Sequence, residues 1–319
     1  MSEVRYPADI MATAVVPWTA DWQLDERLFR RELAMLLAAG YRHIYIFGTA
    51  GEGYAVTDQQ FLQITRVYVE ALRGSSVAPM VGAISLSLPT IIARIEAARE
   101  LGVRHFQISL PSWGALTESE VFTFFEQVLG RFPDCQFLHY NLLRTKRLVT
   151  PEEYGRLAAA HPNLAATKNS TDAMTRVHGL LTKAPQLRHF LGESGYAYGS
   201  QIGDCGLLIS VASVNAQTAR AFFAAGQARD AATVLRLGGE LQEIGAALIQ
   251  AAGVGEFIDG AYDKILWKLH DPEFPLRLLP PYRAAQADAA EQLAAFLREH
   301  FPHWAPSPVH GTSRQEAND

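Results

Sequence analysis

Cysteine is almost absent: the 319-residue chain has two, Cys135 and Cys205. They form no Cys-x-x-Cys pair and can close at most one loop, which excludes a disulfide-stapled scaffold. Reduced thiols in a cytoplasmic protein are the expectation. A basic surplus is also missing, with 28 Lys and Arg against 33 Asp and Glu and a net charge of -5. No nucleic-acid partner and no polybasic membrane contact follow from that balance. No apolar run approaches the roughly 18 residues of a membrane span. Residues 1–16 hold no basic segment followed by a long apolar core, so no secretory leader is read there. The ten histidines show no His-Glu-x-x-His or similar spacing. Neither a metal site nor a cofactor is expected.

What is present is apolar residue: 49% of the chain, against 19% charged, enough for a large core. Short β-branched or apolar runs alternate with amphipathic segments. Runs at 11–18, 43–47, 78–83, 105–110, 136–140, 164–168, 189–191 and 207–211 read as eight strands. Between them, Phe29, Leu33, Leu36 and Leu37 share one helical face, and Val121, Phe124, Phe125, Val128 and Leu129 another. Thr57 with Gln60 and Thr117 with Glu120 form capping-box patterns, and Thr150-Pro151 followed by Glu153 reads as a helix start. Gly40 and Gly102 stand where helices should stop.

Parallel pairing needs a crossover helix between strands, so eight such units favour a closed (β/α)8 TIM barrel over residues 1–226. After Gly226 the rhythm changes: 227–254, 261–270 and 284–300 read as helices without strands. They predict a C-terminal helical appendage over 227–302, and residues 303–319 read as a disordered tail.

In such a barrel the chemistry sits where strands end and βα loops begin. Three strand ends carry suitable groups. The sixth ends in Thr167-Lys168-Asn169; a desolvated lysine loses charge and becomes a nucleophilic amine, while a lysine at the rim could equally pair with a carboxylate. The fifth ends in His139-Tyr140-Asn141 and is followed by Arg144. A phenol there can carry protons and a guanidinium can grip a carboxylate. An ordinary half-buried aromatic and a solvated basic loop are the competing readings. The second ends in Gly48-Thr49-Ala50-Gly51-Glu52-Gly53, where three glycines in six residues suit an anion-binding turn or a plain connection.

Taken together and in order, these three strand ends resemble the dihydrodipicolinate synthase / N-acetylneuraminate lyase family of class I aldolases. The family pattern is Gly-Thr/Ser-x-Gly-Glu after strand two, Tyr-Asn or Tyr-Asp after strand five, and Lys ending strand six. The resemblance covers roughly residues 8–300. It implies that Lys168 forms an imine with a 2-oxo acid, that Tyr140 shuttles protons, and that Thr49 and the Ala50 amide receive the carboxylate. Arg144 matches the family's loop arginine with one residue deleted. Gly192 matches a glycine beside the 2-oxo acid, and Ile209 lies in the segment whose carbonyl faces substrate. The family also implies an aldehyde partner and a homotetramer.

Two departures narrow the substrate. Synthases carry a second threonine at Ala50 and a tyrosine near Pro111-Ser112-Trp113-Gly114. The segment Leu110–Leu116, Leu-Pro-x-Trp-x-Ala-Leu, looks more like hydratase-aldolases that release pyruvate from an arylidene substrate. Trp113 is then a candidate flat wall, or else a packing residue. Open beside this reading are dihydrodipicolinate synthesis itself and a sugar-acid dehydratase or aldolase using Ser112, Ser170, Thr171 and Ser213. A catalytically silent regulator that only binds a 2-oxo acid is the alternative of another class.

Overall fold

The computed structural model describes residues 5–306. Eight parallel strands close on themselves in sequence order: β1 (Ile10–Thr13), β2 (His43–Ile46), β3 (Met80–Gly82), β4 (His105–Ile108), β5 (Gln136–Asn141), β6 (Leu164–Asn169), β7 (Arg188–Leu191) and β8 (Gly206–Leu208). Around them run α1 (Glu26–Ala38), α2 (Asp58–Leu72), α3 (Leu88–Glu100), α4 (Glu118–Leu129), α5 (Pro151–Ala160), α6 (Met174–Lys183), α7 (Glu193–Ile202) and α8 (Ala216–Gln227). Then follow α9 (Ala231–Ala252), α10 (Asp259–His270) and α11 (Ala289–His300). No helix among the described residues is long and apolar enough to cross a membrane.

The local signals act as expected. Thr57, Thr117 and Thr150 each close a capping box with Gln60, Glu120 and Glu153, satisfying N–H groups that the first helical turn leaves free. Gly40 and Gly102 adopt φ of 74° and 91°, the left-handed conformation that turns a helix end into the next strand.

Several boundaries differ from the sequence reading. The first strand stops at Thr13 although the buried run continues to Trp18. Beyond it, the Val15 N–H leaves the ladder and donates to the Glu32 carboxylate at 2.5 Å. The helix read over 227–254 is present but starts later, at Ala231, with Gln227 still the last residue of α8. Arg229 takes φ 55°, and Asp230 caps a new helix by accepting from the Thr233 N–H. The tail reading fails at its start: Trp304 is fully buried, its indole N–H donating to Glu240 at 2.8 Å. Residues 307–319 lie outside the described ones.

Strand alternation divides the core. Ile44 and Ile46 face the helices, while Met11, Tyr45, Met80, Leu138, Ala166, Phe190 and Leu208 fill the barrel. Tyr6 closes the bottom: it stacks on His105, its phenol bonds His105 Nδ1 at 2.7 Å, and its carbonyl accepts from Arg188.

One buried ion pair joins the barrel to the trailing helices. Lys264 Nζ on α10 donates to Glu52 Oε1 at 2.7 Å, and neither side chain has any exposed surface. Glu52 also accepts from the Trp18 indole at 2.8 Å and from the Leu279 N–H at 2.7 Å; Lys264 also donates to the Arg277 carbonyl. Removing one member of such a pair strands the other in a dry interior. Lys264→Met should therefore cost on the order of 3–5 kcal/mol, and Glu52→Gln combined with it should recover much of that loss. Thermal and urea unfolding of the single and double variants read this out. A single-variant cost below about 1 kcal/mol would show that the pair is dispensable.

Candidate active site

Pairing register builds the site. Tyr140 on β5 is the direct Cα partner of Lys168 on β6, and Phe190 on β7 is its partner on the other side. Lys168 stands two residues above Ala166, and Tyr140 two above Leu138, so both point into the barrel over its apolar filling. Lys168 Nζ lies 3.8 Å from the centroid of the Tyr140 ring and 4.4 Å from that of Tyr45. It donates to Tyr45 Oη at 2.5 Å. Among the described residues no carboxylate lies within ion-pair distance of the amine, so the rim-lysine reading does not hold. Burial lowers the Lys168 pKa to about 7, with the carboxylates of Asp259 and Asp263 pulling weakly the other way.

Tyr140 is itself buried, and desolvation pushes its phenol up to about 12. Nearby Asp259 adds to that rise, and the hydroxyls of Thr49 and Ser170 offset part of it. Tyr140 thus stays protonated near neutrality and can donate. Thr49 and Ala50 are both buried in the turn after β2. Phe47 and Glu52 bend that turn with φ of 64° and 55°, and Glu52 N–H closes it on the Thr49 carbonyl at 3.1 Å. Gly48 leaves room for the lysine's neighbours: a Cβ there would stand 2.6 Å from the Tyr45 ring and 3.4 Å from Lys168 Nζ.

Over this group opens a cavity of about 310 Å³, lined by Thr49, Tyr54, Leu142, Arg144, Ile258 and Tyr282 among others. Tyr54 and Tyr282 meet edge to face with ring centroids 5.0 Å apart. Arg144, on a 3-10 turn after β5, forms a two-pronged ion pair with Asp259 at 2.8 and 3.1 Å. Gly192 is the N-cap of α7, and its N–H donates to the Asn169 carbonyl at 3.0 Å, one residue beyond the lysine. Ile209 is buried after β8 and lines a different cavity. Trp113 does not join the site within this chain: it is 83% exposed and is not among the cavity's lining residues.

Sequence reasoning missed Tyr45, Asp259 and Asp263. For Tyr45 the signal existed, since alternation along β2 sets it opposite Ile44 and Ile46. For the two aspartates there was none, because α10 reaches the barrel mouth only through long-range packing. No group of His, Cys, Asp and Glu fit to hold a metal occurs among the described residues.

Comparison with known proteins agrees with this geometry. The model of the dihydrodipicolinate synthetase family matches residues 6–299. The 4-hydroxy-tetrahydrodipicolinate synthase of Acidobacterium capsulatum is 28% identical over 203 residues, 62% of this chain and 66% of that protein. The chain is thus matched to just under two thirds of that relative's length. In fold it is similar to dihydrodipicolinate synthase from Thermotoga maritima, with a TM-score of 0.80 at 19% identity over 92% of this chain and 98% of the other. It is also similar to YagE, a prophage protein of E. coli K12 solved with pyruvate, with a TM-score of 0.78 at 18% identity over 92% and 98%. A buried lysine at the end of the sixth strand, a phenol beside it and a family match over nearly the whole chain agree: the protein belongs to the dihydrodipicolinate synthetase family of class I aldolases and lyases.

Proposed function

We propose that the protein is a lyase that holds a 2-oxo acid as an imine on Lys168 and splits it from, or joins it to, an apolar or aromatic aldehyde. The observation that carries this is the Lys168 amine, buried, without a carboxylate partner and flanked by two phenols. As a neutral amine it attacks the C2 carbonyl; the C–N bond forms while the carbonyl pair moves to oxygen. The nitrogen sheds one proton, and Tyr140 gives the oxygen two in turn, regaining the first from water at the mouth, so that the oxygen leaves as water and the iminium forms. In cleavage the iminium then draws in the electrons of the C3–C4 bond, Tyr140 takes the hydroxyl proton, and the aldehyde departs. Thr49, the Ala50 amide and Arg144 receive the carboxylate, Gly192 lies beside the acid, and the Ile209 backbone carbonyl faces it.

Two features favour an apolar acceptor. Ala50 supplies no hydroxyl to a proton relay, and the mouth cavity presents Tyr54, Tyr282, Leu142 and Ile258. The rings of Tyr54 and Tyr282 take the place expected for Trp113. A polyhydroxy acid is the second reading, favoured by Ser85, Ser109 and Ser112 on the same cavity.

Borohydride with pyruvate should add one reduced pyruvyl group at Lys168; labelling at Lys146, Lys183 or Lys264 instead refutes the assignment. Because burial lowers the amine to about 7, its free fraction grows with pH through that value and is nearly complete a unit above it. The rate of imine trapping should therefore rise through pH 6 to 7 and flatten above about 8, not climb toward 10.5 as for an ordinary lysine.

Arg144→Ala should raise KM for 2-oxo acids more than it lowers kcat, a loss on the order of 1.5–3 kcal/mol. An unchanged KM would leave the turn at Thr49 as the carboxylate's seat. For substrate class, retro-aldol cleavage of aryl 2-oxo-acid adducts should exceed dihydrodipicolinate formation by at least about tenfold in kcat/KM, about 1.4 kcal/mol in barrier. Steady-state assays of both reactions on one preparation decide it, and faster condensation with aspartate semialdehyde would identify an ordinary synthase.

A further inference from the structure

Two cavities flank the barrel, and they share no lining residue. Thr49 lines the mouth cavity and offers Tyr140 its hydroxyl. The second, about 480 Å³, lies between α1, α8 and α10 on the β8–β1 side of the barrel. Thr13, Ile209 and Asp263 line it toward the barrel, and Gln217 and Arg220 line it on α8, where Gln217 is exposed. At roughly 30 Å³ per molecule, this volume has room for several waters beside polar partners.

Tyr45 links the amine to Thr13, a residue of that cavity's wall. Its phenol accepts from Lys168 Nζ at 2.5 Å. Thr13, its Cα partner on β1, offers the phenol a hydroxyl. Thr13 then borders the cavity that Asp263 also borders, and Asp263 Oδ1 accepts from Ser210 Oγ at 3.5 Å.

We infer that Tyr45 is a second catalytic phenol, serving the nitrogen of Lys168 as Tyr140 serves the substrate oxygen, and that it passes protons through Thr13 to water and Asp263 in the side cavity. The inference rests on the imine chemistry proposed above. When the amine attacks C2, the nitrogen becomes cationic and must shed a proton before water can leave. Tyr45 Oη takes that proton as it hands its own to Thr13 Oγ1; Thr13 hands one to water in the cavity, and Asp263 receives it. Hydrolysis of the imine runs the same chain backwards, so each hydroxyl ends as it began. The groups suit these parts. Burial holds the Tyr45 phenol far above its ordinary value, so it relays and does not rest as phenolate. Asp263 is raised to about 7 by burial, with Asp259 adding and Lys168 opposing, which lets it take or give a proton near neutrality. A side route also answers the missing hydroxyl at Ala50: this chain has a proton path that does not cross the mouth.

The test is the rate of borohydride-trapped imine from pyruvate, followed by intact mass in the full-length enzyme. Wild type must label at Lys168; if it does not, the proposed function fails and this inference with it. Given that label, Tyr45→Phe keeps the ring and loses only the hydroxyl. It should slow imine formation at least about tenfold, with the half-saturating pyruvate concentration unchanged and the label still on Lys168. Thr13→Val leaves the contact between Tyr45 and Lys168 in place but cuts the outlet; it should slow the same step several-fold, and Thr13→Ser should restore it. If Tyr45→Phe traps imine within twofold of wild type, Tyr45 is not catalytic. If Tyr45→Phe is slow while Thr13→Val matches wild type, Tyr45 only positions the amine and the side route is overturned. Circular dichroism and thermal unfolding of each variant show whether a slow rate is merely lost folding.

Discussion

The contact between Glu52 and Lys264 is the constraint on which the site depends. It joins residues 212 apart in sequence: one in the turn that carries Thr49 and Ala50, the other on the helix that carries Asp259 and Asp263. With both charges fully dehydrated, the pair tolerates little displacement of either element. The left-handed Glu52 has a reason to persist, because its side chain is held by an indole, an ammonium and a backbone N–H at once. Gly260 tightens the same seam, since a Cβ there would come within 3.2 Å of the Ala50 carbonyl. The trailing helices are therefore part of how the barrel mouth is shaped.

Above that seam the arrangement is one of graded wetness. Apolar side chains fill the lower barrel, Lys168 and the two phenols sit on them, and the Arg144–Asp259 fork lies at the rim, where both side chains are substantially exposed. Charge is permitted where water can reach and is suppressed where it cannot. The tuned lysine is the member of this series that stands at the boundary. Its neighbours on the strands, Tyr140 and Phe190, set its depth through register, because strand pairing leaves no freedom to slide by one residue without turning every side chain to the other face.

Much of this was legible because it is local. The run of eight strands, the capping threonines and the glycine stops repeat at short range, and the alternation of β6 alone puts Lys168 over a small, apolar stretch. Errors arose where tertiary partners replaced local ones. Val15 continues an apolar run yet leaves the ladder, because Glu32 offers its N–H a buried carboxylate. Gly226 marked the break after α8, but the next helix starts four residues later than 227, where Asp230 caps Thr233. Trp304 follows a proline in a polar-looking end, and its burial depends on Glu240, 64 residues earlier. Trp113, a candidate wall by its motif, is exposed within this chain, whereas Tyr54 and Tyr282, far apart in sequence, meet at the mouth cavity.

The plug made by Tyr6, His105 and Arg188 gives the barrel a floor, and the barrel is a blind-ended well. Lys168 is set by the barrel's apolar filling and by the register of the strands around it. Tyr54, Leu142, Ile258 and Tyr282 form a separate layer at the mouth. Substitutions in that layer reshape the mouth and leave the strand register in place. In evolutionary terms the scaffold is modular: the rim can vary while the floor is inherited intact.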